Sequence, residues 1–162
     1  MQEALTLYFN GEKYAGLMLA GIALAVIVAA TVMFRAGGGV RPFAVTLGIV
    51  AVAEIALGVG LYLRTGPQVA RLEEQLRSTP PAFHAEERER MARVQRNFVL
   101  VEYIELLVVV TSALAALLLK TRPGPAGVAL GLLISASVLL AFDVFAEHRG
   151  AEYLSAIEGR AP

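Results

Sequence analysis

The chain has no cysteine, which excludes disulfides, thiolate metal sites and cysteine nucleophiles together. Histidine is almost as scarce. His84 and His148 both lie outside the long apolar runs, so a bis-histidine haem buried among those runs is excluded. An excess of positive charge is also missing. Fourteen Lys and Arg balance fourteen Asp and Glu, and no aromatics are placed to stack on bases, so no nucleic-acid partner is expected. Charge of either sign is thin, at 17% of 162 residues, where soluble domains usually carry about a quarter. What fills the space is apolar: 57% of the residues are hydrophobic and the mean hydropathy is +0.64. This composition excludes a soluble enzyme and points to an integral membrane protein.

Four runs are long enough to cross a bilayer, which takes about 20 apolar residues. They cover residues 14–34, 42–63, 98–119 and 126–146. None alternates with period two, and backbone groups in lipid must be paired internally, so each run predicts a helix. The first run is longer than the apolar core of a secretion signal and follows Glu3, Glu12 and Lys13, so it reads as a retained helix. Gly- and Pro-rich joins at 36–42 and 121–125 are short enough to force antiparallel neighbours. The expected fold is all-α: one membrane domain over residues 1–162, an antiparallel bundle of four transmembrane helices.

Between spans two and three, residues 64–97 carry a dense run of charge. Val69, Leu72 and Leu76 fall at helical spacing, and Thr79-Pro80-Pro81 then forces a turn. Glu86–Arg90 and Glu89–Arg93 are expected i,i+4 pairs, and Met91, Val94 and Phe98 form a thin apolar stripe. The segment therefore predicts a helical hairpin that extends spans two and three beyond the membrane, with Gly66-Pro67 as a kink. Ten of the fourteen Lys and Arg, Arg149 and Arg160 included, lie on the side of this hairpin and both termini. The positive-inside bias places that side in the cytoplasm. Twelve Arg against two Lys, with abundant Ala and compact loops, suggest the inner membrane of a bacterium.

The chemistry-bearing feature is a set of acids within the spans and no Lys or Arg there to balance them. Glu54 lies roughly 13–15 Å from either boundary of span two at helical rise. Glu102 and Glu105 lie near the start of span three, and Asp143 near the end of span four. Helical spacing puts Glu102, Glu105, Val109, Ser112 and Ala116 on one face, and Ala51, Glu54, Gly58 and Tyr62 on another. Three helices would then aim acids into one pocket open to the cytoplasmic side. A carboxylate at mid-bilayer costs several kcal/mol, relieved by protonation, by a bound cation or by water reaching inward. The structural alternative for Glu54 is a neutral acid hydrogen-bonded to Tyr62, Tyr103, Ser135 or Ser137.

The Glu-x-x-His pairs of a di-iron bundle do not occur, and no resident metal or cofactor is expected. Ser112, Ser135 and Ser137 have no identifiable base, so no catalytic residue is assigned and enzyme activity stays open. Small-residue stripes, Gly16-x-x-x-Ala20, Gly21-x-x-x-Ala25-x-x-x-Ala29 and Gly127-x-x-x-Gly131-x-x-x-Ser135, suit close helix contacts within the bundle or in a homo-oligomer.

The stretch Glu89-Arg90, Arg93, Arg96-Asn97 and Glu102 resembles a motif of the four-helix membrane family of glutathione and eicosanoid metabolism. Its interval from Asn97 to Glu102 is longer than that family's, and it precedes the third span rather than the second, so the family is not assigned. Small multidrug exporters carry their membrane glutamate in a first span, which is uncharged here. Three functions remain in play. The first is a proton- or cation-linked transporter or channel-like protein using Glu54, Glu105, Asp143 and Glu102. The second is an accessory subunit that docks a protein partner through the 64–97 hairpin. The third is a membrane enzyme on a lipid or small anionic conjugate, with Arg93 and Arg96 holding the anion.

Overall fold

The computed structural model describes residues 1–159, so Arg160 lies outside the described residues. Of the described residues 94% are helical, and none lies in a strand. Helix α1 spans Gln2–Ala36, α2 Arg41–Ser78, α3 Pro80–Leu118 and α4 Pro123–Ile157. All four are long and apolar enough to cross a membrane.

Breaks between helices follow from local chemistry. Gly37 (φ 80°) and Gly38 (φ 67°) take up the left-handed backbone that ends α1, ahead of a single 3-10 turn over Gly38–Val40. Thr79 and Arg122 each precede a proline, whose ring keeps the preceding residue out of the helical region. Both sit accordingly in non-helical backbone (φ −139° and −116°), and Pro80 and Pro123 open the next helices. The hairpin turn thus falls at Thr79, with Pro80 and Pro81 already inside α3. The expected kink at Gly66-Pro67 does not interrupt α2. Gly66 has no Cβ to clash with the proline ring, so the helix passes through.

The helices number 35 to 39 residues, or about 52–58 Å at helical rise. That is nearly twice a hydrocarbon core of about 30 Å. The excess gathers at one end, the polar end, where the start of α1, the end of α4 and the Thr79 turn meet. Residues 2–13, expected only as a leader, are helical and turn one face into the core there. Leu5, Tyr8 and Phe9 of α1 bury with Leu72 of α2, Phe83 and Met91 of α3, and Tyr153 and Ile157 of α4. The 64–97 hairpin is therefore two sides of a four-helix end, with its apolar stripe covered by α1 and α4.

Along the spans packing changes character. A Cβ on Gly16 would stand 2.7 Å from the Gly58 carbonyl oxygen, so α1 and α2 touch backbone to backbone. Gly127 and Gly131 of α4 lie against Phe43 and Thr46 of α2. Large side chains such as Leu24, Val52, Leu107 and Leu114 point outward. This contrast is the one that two solvents would produce. Water drives large apolar groups together, whereas lipid would give them no reason to associate and would leave small residues to set the contacts. Two of the small-residue stripes are thus spent inside the chain, while Gly21, Ala25 and Ala29 face outward.

Backbone contacts join α1 to α2 and α3 to α4 most extensively, and α2 with α4 links the two pairs. In its most apolar stretch α3 has only 6% of its residues buried, and α4 is its main neighbour.

Candidate functional site

The face expected on α3 is the one that packs on α4. Ser112 is buried, Glu102, Glu105, Val109 and Ala116 are half-buried, and the intervening Leu106, Leu107 and Leu114 are exposed. Asp143 comes from the facing side of α4. The charges of Asp143 and Glu102 act on Glu105, that of Glu102 acts on Asp143, and no basic side chain offsets either acid. Glu102 Oε1 and Glu105 Oε2 are enclosed with no hydrogen-bond partner. An open groove of about 370 Å³, lined by Val99, Glu102, Tyr103, Leu106 and Leu140, borders this cluster.

Glu54 stands apart. Its α2 face, with Ala51 and Gly58 buried beside it, meets α1 through Gly16 and Ala20. The residue is 4% exposed, and among the described residues neither a charge nor a hydrogen bond acts on its carboxyl. The expected hydroxyl partners do not serve it: Ser137 donates to the Leu133 carbonyl instead. Contacts of Gly127 with Phe43 and Gly131 with Thr46 show that α2 and α4 run parallel. Extending that offset brings Glu54 level with about Leu139, while the antiparallel α3 places Glu105 near residues 136–140 of α4. The two glutamates therefore share a depth, but no charge of one acts on the other. Among the described residues no three His, Asp or Glu side chains lie close enough to hold a metal ion.

Arg93 pairs with Glu89 at 2.8 Å as expected, on the exposed surface, and Arg96 is exposed as well. The other expected pair is corrected. Arg90 grips Glu87, three residues back, through Nε and Nη2, each at 2.7 Å. Glu86 instead accepts from Gln75 Nε2 across the hairpin at 2.6 Å. Glu87 points into the core, and a buried acid captures the nearest arginine because its charge has lost its water and needs an opposite charge beside it.

That pair anchors a polar network at the polar end that the sequence did not reveal. Tyr153 donates to Glu87 Oε1 at 3.1 Å, and Tyr8 donates to Glu12 Oε1 at 2.7 Å. The Arg90 guanidinium lies 5.7 Å from the centre of the Phe9 ring. Burial first, then the adjacent Glu12 carboxylate, pushes the Tyr8 hydroxyl well above its ordinary range; burial and Glu87 do the same to Tyr153. For Arg90 burial works against the charge, but the bonds and attraction of Glu87 outweigh it and the net direction is upward. In the sequence Glu87 and Arg90 are two letters in a charge run, and only the helical phase of Phe83, Glu87 and Met91 hinted at an inward face.

Comparison with known families, curated proteins and solved structures finds no match.

Proposed function

We propose that this chain is a small membrane transport protein linked to protons or a cation. Glu102, Glu105 and Asp143 form its exchange site, and Glu54 is a second buried acid at the same depth. One observation carries the reading: acids on facing helices act on one another with no base between them, and two have oxygens enclosed without a donor. An ionised carboxylate in that position costs several kcal/mol, so a mobile positive charge has to neutralise it. A proton does so without the cage of ligands that a held metal requires. In this reading the polar end faces the cytoplasm of a bacterial inner membrane, and self-association uses the outward stripe of Gly21, Ala25 and Ala29.

The test is flux in sealed vesicles carrying an imposed pH gradient, followed with a trapped pH dye. The double variant Glu54→Gln/Glu105→Gln, and separately Glu102→Gln/Asp143→Asn, are expected to abolish proton movement. Wild-type flux in both would overturn the proposal.

An accessory subunit is the second reading, favoured by Arg71, Arg77 and Arg96, which are exposed and have no acidic partner among the described residues. Because the apolar stripe of the hairpin is covered, a partner would meet only this outer charged face. Loss of partner capture on reversing those three charges, with the acid-to-amide variants still capturing it, would favour this reading.

A further inference from the structure

Five side-chain atoms of the described residues are enclosed with no hydrogen-bond partner, and three of them lie along one line. Gln95 Oε1, Glu102 Oε1 and Glu105 Oε2 follow the face of α3 that packs on α4. Ser112 continues the line. It is 6% exposed, and its hydroxyl has no partner among the described residues, although Thr111 beside it bonds back to the Leu107 carbonyl at 2.7 Å. From Gln95 to Ser112 the face runs about 25 Å at helical rise.

Native proteins leave very few buried polar atoms without a partner, and the usual remedy at a polar, roomy place is an ordered water. Three oxygens in sequence on one helix face, with an unpaired hydroxyl beyond them, describe a row rather than scattered defects. The α4 side completes it. The Glu147 carbonyl takes the Gln95 amide N–H at 3.2 Å, and the Glu102 charge reaches Asp143. Gln95 sits where the row meets the polar end, because α3 packs there on Gly150, whose missing side chain makes room for the amide. An open groove reaches the row from outside at Glu102.

We infer that the seam between α3 and α4 holds a file of water molecules, running from Gln95 past Glu102, Asp143 and Glu105 to Ser112, through which Glu105 exchanges protons with the polar end. Each hop breaks an O–H bond of a protonated water and forms one on a neighbouring water or carboxylate, so the excess proton advances without any other reactant. Gln95 is a positioning residue: it orders the first water with its free oxygen while its amide N–H is held by Glu147. The inference deepens the transport reading by giving its acids a route, but hydration and proton exchange are measurable without transport.

An experimental structure fine enough to show water is expected to place water oxygens at hydrogen-bond distance from Gln95 Oε1, Glu102 Oε1 and Glu105 Oε2. Protein donors on those atoms, or side chains closing the seam dry, would overturn the inference even with vesicle flux intact. Proton exchange is read separately from the infrared carboxyl band of Glu105, assigned by its loss in Glu105→Gln, after a jump in external pH. Gln95→Leu, with helix content and Tm confirmed, is expected to slow that response by at least an order of magnitude, and Gln95→Glu to restore it. An unchanged response in Gln95→Leu overturns the route. Waters in the seam with fast exchange but no vesicle flux would instead remove the transport proposal and leave the seam standing.

Discussion

Tyr8 of α1 and Tyr153 of α4 lie stacked, ring centres 4.7 Å apart and planes within 6°, so the start of α1 and the last turns of α4 meet face to face. Each hydroxyl donates to a different acid, Glu12 on its own helix and Glu87 on α3. The pair therefore ties α1, α3 and α4 together outside the spans. This is where water can drive a core, and most of the large, fully buried side chains are here.

Removing Glu87 leaves Arg90 without its acid and the Tyr153 hydroxyl without its acceptor. Breaking one side of a buried ion pair costs about 3–5 kcal/mol, so Glu87→Ala should lower Tm in detergent sharply. Tyr153→Phe removes one hydrogen bond and should cost about 1 kcal/mol.

The two tyrosines make stability sensitive to alkali. Both hydroxyls have pKa values raised above the unfolded value of about 10, so their contribution is fully present below that pH and fades as pH rises beyond it. Denaturation curves should show stability falling by up to about 1.4 kcal/mol per pH unit per tyrosine in that range. Tyr8→Phe with Tyr153→Phe should flatten the slope.

Gly58 is a contact point that admits no side chain. A Cβ there would lie 3.0 Å from the Ala20 nitrogen and 3.2 Å from its Cβ, and closer still to the Gly16 carbonyl. Gly58→Ala should cost about 1–3 kcal/mol by forcing α1 and α2 apart. Gly60→Ala, where nothing lies within 4 Å, is the control and should stay within about 0.5 kcal/mol.

Glu54→Leu separates stability from function. An unpartnered buried carboxyl gives way to an apolar group of similar volume, so thermal stability should rise by about 1–3 kcal/mol. Proton flux in vesicles should fall in the same variant, a trade expected where a strained group is kept for use. A drop in Tm would show that Glu54 has a structural partner.

Four helices, their turns and the acid-bearing faces were legible along the chain because each is local. An apolar run, a proline after Thr79 or Arg122, and the helical spacing of Glu102, Glu105 and Ser112 need no knowledge of distant residues. The polar end was not legible. Leu5, Tyr8 and Phe9 look like a short flank before a span until α4 supplies Tyr153 and Ile157, more than a hundred residues later. The choice of Glu87 over Glu86 for Arg90 was equally hidden, since both lie within helical reach and only burial separates them.

Composition and periodicity alone determined an all-helical chain with four segments fit for lipid, because hydropathy and backbone hydrogen bonding act segment by segment. Tertiary structure decided which helices touch. It set Glu102, Glu105 and Asp143 together while holding Glu54 apart from them on α2, and it closed the polar end into a core. Such choices depend on backbone approach at Gly16, Gly58, Gly127 and Gly131, a property of helix pairs and not of any one helix.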